Sequence, residues 1–443
     1  MKIKLSDHFT YSRLLRYALP SVIMMIFTSI YSVVDGLFIS NLVGSNALSS
    51  INIVMPMVIV VGAFGFMLGT GGSAVVSMKF GQGKPKTANE YFSMIITTIF
   101  IIGVVLSALC IVFIKPLCRF LGASDILMDD CVTYGVILLI GSAAFMLQTT
   151  FQTFFVVAEK PHFGLSLTVI SGVTNMVLDY VFVYLLKGGV AGAAWATVSG
   201  YIIGAVIPII YFLLPNSSLL RLCRFKFNLR VLLNSSANGS SEMMSNISMS
   251  IITFLYNLQM MRLLGEDGVA AITVIMYVNF IFIAAFIGYS MGTAPIVGYN
   301  YGAGNHTELR GVFRKSMIII SICSVAMTAS AVALSDFLAH IFVSANSTLE
   351  QITAHGFRLY SLSFLIAGFN IYGSSFFTAL CNGKLSALIS FLRSLVLQAI
   401  MIIVLPMLLG LNGIWLAVVT AELLTAIVTA ICLIVNRKKY HYA

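Results

Sequence analysis

A chain of 443 residues that is 59% hydrophobic and only 9% charged is not a soluble domain, where about a quarter of residues carry charge. Its net charge of +10 does not point to nucleic acid, because the lysines and arginines fall in short breaks between apolar segments, where they orient a membrane protein. The seven cysteines are odd in number, lie partly inside apolar stretches and form no CxxC, and the six histidines show no HExxH spacing. Disulfide frameworks, structural metals and other cofactors are therefore not expected.

The basic start, MKIKLSDHFTYSRLLRYAL, has no small-residue cleavage site before a short apolar core and is not read as a signal peptide. Twelve apolar segments follow, at about 17–40, 52–78, 92–114, 132–157, 163–186, 190–213, 242–263, 270–298, 317–342, 356–380, 385–409 and 413–435. Each is long enough to cross a hydrocarbon core of roughly 30 Å as a helix. Nineteen lysines and arginines flank one side and four the other, which predicts cytoplasmic termini.

The one long polar break, 215–241, predicts three units: an N-lobe over 1–214, a cytoplasmic linker and a C-lobe over 242–443. A shift of 221 aligns Gly44 with Gly265, Gly71 with Gly292, Gly81 with Gly302 and Gly189 with Gly410. Six spans per half is an even number, so both halves point the same way. The predicted fold is all-α and polytopic, with twelve transmembrane helices in two six-helix lobes related by a pseudo-twofold axis and a central cleft between them.

The first span, ALPSVIMMIFTSIYSVVDGLFIS, carries Pro20 near its start, where it favours a bend. Thr28, Ser32 and Asp35 follow at i, i+4 and i+7 on one face, with Tyr31 beside them. A carboxylate within a span is costly and marks an ion or substrate path. The fifth span adds Asn175 and Asp179, four apart on one face, and the sixth adds Thr197. Counted at about 1.5 Å per residue, Asp35, Asp179 and Thr197 fall in the outer half of the first lobe.

The second half departs from this pattern. Tyr256 stands where the shift would place Asp35. Glu242 is read as favouring a helix N-terminus, and Arg393 and Glu422, at similar depth in adjacent spans, as a structural ion pair. The Gly81–Thr87 stretch is not a phosphate loop, since Pro85 follows Lys84 where Ser or Thr is required; it is read as a tight turn.

Pro20, Asp35, the Asn175-xxx-Asp179 pair and Thr197 resemble, in identity and spacing, the multidrug and toxic compound extrusion (MATE) family, in particular its bacterial DinF-like and MepA-like members. The resemblance covers nearly the whole chain. It implies a non-enzymatic antiporter of the bacterial cytoplasmic membrane that exports amphipathic, often cationic small molecules. Protons are favoured over sodium as the coupling ion, because the deep acids of the seventh and tenth spans found in NorM-related members are missing. Asp35, Asp179, Asn175 and Thr197 are the expected coupling residues, Pro20 the bend, and Thr28, Tyr31 and Ser32 substrate-lining. The chain is expected to act as a monomer within the bilayer. The alternative is a flippase for a lipid-linked precursor, which needs a basic cavity; only Arg393 and Arg358 are available.

Overall fold

The computed structural model describes residues 3–43, 45–342 and 347–442; Gly44, one of the repeat glycines, lies outside them. The first half comprises α1 (Tyr11–Leu42), α2 (Ser45–Gly81), α3 (Pro85–Val112), α4 (Ile114–Phe120), α5 (Met128–Val157), α6 (Pro161–Asp179) and α7 (Gly189–Leu213). The second comprises α8 (Leu229–Leu264), α9 (Glu266–Gly302), α10 (His306–Ala333), α11 (Ser335–Phe342), α12 (Ser347–Ser361), α13 (Phe364–Ala379), α14 (Gly383–Phe391), α15 (Leu397–Leu409) and α16 (Leu411–Tyr440). Two π-helical turns, Tyr180–Leu185 and Leu392–Val396, extend α6 and join α14 to α15. No strand occurs among the described residues.

Eleven described helical segments are long and apolar enough to cross a membrane, and a bent pair brings the number to twelve. That pair covers the tenth span expected at 356–380 and divides it in two. Its arms, α12 and α13, meet at 47°. At the break the Ser361 hydroxyl bonds back to the Phe357 carbonyl, and the backbone switches to three-residue pairs, Leu362 to Leu359 and Ser363 to Tyr360. Such local bonds compete with the helical ladder and leave no trace in hydropathy.

The seventh span differs more. It begins at Leu229, capped by the Asn228 side chain, which accepts from the Val231 N–H at 3.2 Å. The Ser- and Gly-rich stretch before Glu242 is therefore helix, and its polarity serves packing. Ser235, Asn238 and Ser241 are buried, and Asn238 Nδ2 donates to the Thr378 carbonyl at 2.8 Å. A side chain at Gly239 would strike the Met67 carbonyl of α2, and one at Gly71 would strike Ser235 and Gly239. Small residues let these two backbones touch. Glu242 consequently stands well inside α8 and not at its N-terminus.

The same contacts display the symmetry. The shift of 221 maps Met78 onto Tyr299 and Gly81 onto Gly302; a Cβ on Gly81 would meet Tyr299, and one on Gly302 would meet Met78. Ala18 maps onto Gly239 and Gly71 onto Gly292, and these pairs also meet crosswise. The pseudo-twofold axis therefore passes between the lobes at these points. Gly83 and Gly304 both adopt positive φ, 70° and 67°, in the tight turns that follow.

Three apolar cores divide the molecule. One belongs to the first half and draws from α8 and α9 only Leu232 and Tyr299 as partly buried neighbours. A second, from Ile252 to Val419, contains second-half residues alone. The third is mixed: Leu5, Phe9, Leu14, Tyr17 and Ala18 pack with Phe286, Ile296, Leu309 and Phe376. The lobes are thus joined at the end bearing the termini. Toward the other end they keep separate cores.

Candidate functional site

The first-lobe site is assembled by α1, α5, α6 and α7. Gly172 of α6 leaves room for the Phe27 ring, which an added Cβ would meet at 2.7 Å. Tyr31 stacks on Phe27, ring centroids 6.2 Å apart. This close seating of α1 on α6 brings Asp35 to Asp179 and Asn175. The three side chains lie close enough to interact. Both oxygens of Asp179, Oδ1 of Asp35 and Oδ1 of Asn175 are buried, so the three groups face one another away from other partners among the described residues. Asp179 is only 2% exposed. Asn175 Nδ2 donates to Thr197 Oγ1 at 3.4 Å, and Thr197 donates to the Ala193 carbonyl at 3.1 Å.

The four residues that spacing singled out are thus brought together. Asp179 is also the last α-helical residue before the first π-helical turn. A π-turn widens the ladder and recurs at functional positions. The remaining expected residues play supporting parts. Helix α1 runs on through Pro20, which removes one N–H from its ladder. Thr28 and Ser32 bond to the carbonyls one turn back, Met24 and Thr28, at 2.9 Å each. Their hydroxyls relax the helix from within and do not reach across to α6.

Spacing missed two residues. Tyr134 of α5 and Tyr201 of α7 stand, with Tyr31, in the electrostatic surroundings of the carboxyl pair. The Tyr134 hydroxyl is buried and partnerless among the described residues. A tyrosine in an apolar span reads as packing, so no pattern could have separated these two from the other sixteen of the 18 tyrosines. The assembled site offers carboxylate, amide and hydroxyl oxygens, the hard donors suited to a proton or a small cation.

The second-lobe site is built differently. Arg393, in the second π-helical turn, donates from Nε to Glu422 Oε1 at 2.8 Å. The other Glu422 oxygen accepts from Asn370 Nδ2 at 2.7 Å, and Thr429 donates to Asn370 Oδ1 at 2.9 Å. The Glu422 side chain is 6% exposed and that of Arg393 20%. Glu242 is partly exposed and within the electrostatic reach of Arg393. Arg358 is elsewhere: it pairs with Asp336 of α11 and accompanies Ser335, with its side chain 48% exposed.

Two duplicated helical lobes, with carboxyl groups held inside membrane-spanning helices, define a polytopic membrane transporter. The MatE family model matches the chain twice, over residues 20–181 and 243–404, one match per lobe. The chain belongs to this family, the multidrug and toxic compound extrusion transporters. Multidrug export protein MepA of Staphylococcus haemolyticus (strain JCSC1435) is 24% identical over 436 residues, covering 94% of this chain and 91% of that one. MepA of Staphylococcus aureus (strain MRSA252) is 20% identical over 432 residues, covering 94% and 92%. Among solved structures, a MATE protein in complex with MaL6 superposes with a TM-score of 0.93 at 21% identity over 98% of both chains. An outward-facing multidrug resistance MATE family transporter of the MOP superfamily gives 0.92 at 22% identity, again over 98% of both. At these identities the structures establish a shared fold.

Proposed function

We propose that this chain is a secondary multidrug exporter that moves amphipathic, cationic compounds across the cell membrane by alternating access, in exchange for protons. The observation that carries this reading is the Asp35–Asp179 pair, two carboxyl groups brought together and buried inside membrane-spanning helices. Holding two acids in one such place is more than helix packing needs. Two carboxylates in one site repel each other when both are charged, and a bound cation or proton relieves that repulsion. Loading the pair cancels charge between α1 and α6, and release restores it. Pro20 then supplies the bend through which α1 changes the room left for a ligand. Thr28, Tyr31 and Ser32 lie along the wall that moves, and Asn175 and Thr197 orient the pair.

With the termini in the cytoplasm, as the lysine and arginine bias indicates, the end where the lobes keep separate cores faces outward. An inside-negative potential then favours each entering proton by about 2.3 kcal/mol per 100 mV. A departing monovalent cation moves against the same potential, so net drive from it requires more than one proton per cation. The coupling ion is tested in proteoliposomes by imposing proton and sodium gradients separately. Export driven by the proton gradient alone is expected; export that follows only sodium overturns this assignment. Orientation is tested by single cysteines at Lys86 and Arg224, which should resist an impermeant thiol reagent outside intact cells. Ready labelling of both would invert the topology.

A further inference from the structure

The segment that joins the lobes is pinned to α3, and its outer face is basic. Residues 214–228 lead from α7 to α8. Along the way Asn89 Oδ1 accepts the Arg221 N–H at 2.8 Å, Ser93 Oγ accepts the Cys223 N–H at 2.8 Å, and Met94 Sδ accepts the Asn228 N–H at 3.3 Å. Leu220 is buried and Leu222 packs on the first-lobe core. The chain therefore turns apolar side chains inward and leaves Arg221, Arg224 and Lys226 exposed, followed by Arg230 in the first turn of α8. Helix α3 sets the depth of this segment. Its residues 95–112 span about 27 Å, most of a hydrocarbon core. Phe100, Ile101, Val104 and Val105 are each about half exposed, a face suited to lipid. The linker crosses α3 just before that stretch begins, which is headgroup level.

No acid offsets the charge. The sequence has no Asp or Glu between Asp179 and Glu242, and no ion pair among the described residues includes Arg221, Arg224, Lys226 or Arg230. Glu90, next to Asn89 on α3, is half-buried and joins none of them in an ion pair. Apolar side chains interleave with these cations. Phe227 is 64% exposed, and Leu229 and Leu233, one turn apart on α8, are 55% and 59% exposed. Orientation in the membrane requires only positive charge near the end of a span. It does not require exposed phenylalanine and leucine set among the charges. A surface that meets phosphates with its cations and the upper acyl chains with its apolar groups requires both.

We propose that residues 221–233 are a binding site for anionic phospholipid. Arg224, Lys226 and Arg230 meet the headgroup phosphate, and Phe227, Leu229 and Leu233 enter the acyl region beside it. Arg221, which donates to the Asn216 carbonyl at 3.1 Å, steadies the segment. Lipid bound here lies on the stretch of chain that joins the lobes. The inference rests on the membrane-spanning fold and is independent of what the protein exports.

The test places a fluorophore in the site with Phe227→Trp, in the full chain reconstituted into vesicles of equal phosphatidylglycerol and phosphatidylcholine. Bromine in the upper acyl chain of one lipid or the other quenches a tryptophan that touches it. The wild type supplies the reference, because Trp195 is 45% exposed on α7 and Trp415 is buried; its quenching should not distinguish the two lipids. The quenching added by Phe227→Trp should favour brominated phosphatidylglycerol by about fivefold or more, the effect of a single basic residue near an anionic surface. High salt should reduce that preference. Adding Arg224→Gln, Lys226→Gln and Arg230→Gln should bring the ratio to about one while quenching by brominated phosphatidylcholine persists. Both lipids are compared on one preparation, so a loss of folded protein cancels from the ratio. A ratio near one in Phe227→Trp, or a preference that survives loss of the three charges, overturns the proposal. Added quenching by neither lipid also overturns it, since the face would then meet water and its charges a soluble polyanion.

Discussion

The same six-helix unit is used twice in this chain, and its two copies treat charge in opposite ways. In the first lobe, Asp35 and Asp179 face one another, buried inside membrane-spanning helices. In the second, Arg393, Glu422, Asn370 and Thr429 form a closed relay in which each buried group is satisfied. The backbones correspond closely enough that Gly81 and Gly302 make reciprocal contacts across the axis. A fold can thus hold two copies to one geometry while their polar centres diverge. A pair of like charges is suited to exchange. A clamped ion pair is suited to holding helices together.

The contrast breaks most visibly at the first lobe. Asp35→Asn and Asp179→Asn should each leave folded protein that has lost drug-driven proton movement in vesicles, because neither variant strands a charge. If both still exchange drug for protons at the normal rate, coupling lies elsewhere, and Glu422 is the next candidate. A smaller effect, on folding, is expected at the second lobe. Glu422→Gln leaves the half-buried Arg393 cation inside the span without its partner and should lower folded yield. Replacing both residues with apolar ones of similar volume should recover that yield. Normal yield with abolished transport in Glu422→Gln would make the second lobe an exchange site as well.

The smallest effect concerns the end where the lobes join. Glu159, in the turn between α5 and α6, accepts the Leu5 N–H at 2.7 Å and so holds the N-terminal segment. Burial pushes its carboxyl above the ordinary glutamate value, against the opposing pull of that hydrogen bond and of Lys4. The folded state therefore binds its proton more tightly than the unfolded chain does. Stability falls as pH rises from the ordinary glutamate value through the folded one. Glu159→Gln should flatten the Tm-versus-pH curve across that window and leave it unchanged at lower pH. An unaltered slope would mean that this carboxyl does not contribute to the join.

Twelve spans, their duplication, and the grouping of Asp35, Asn175, Asp179 and Thr197 were legible in the sequence, for a local reason. Apolar length, helical periodicity and the cost of a charge in hydrocarbon act on each segment by itself, and depth follows from counting residues at a constant rise. The tertiary structure alone decided where α8 begins, because the helix through Gly239 is secured by its contact with α2, far away in the chain. It alone decided that the tenth span breaks between Ser361 and Phe364, and that Tyr134 and Tyr201 join the carboxyl pair. The pairing of Arg393 with Glu422 could be inferred from depth. The support beneath it could not, because Asn370 and Thr429, which hold the far side of Glu422, come from other parts of the chain. Hydropathy records how much a residue avoids water; which neighbour a small or polar residue meets depends on helices packed from distant parts of the chain.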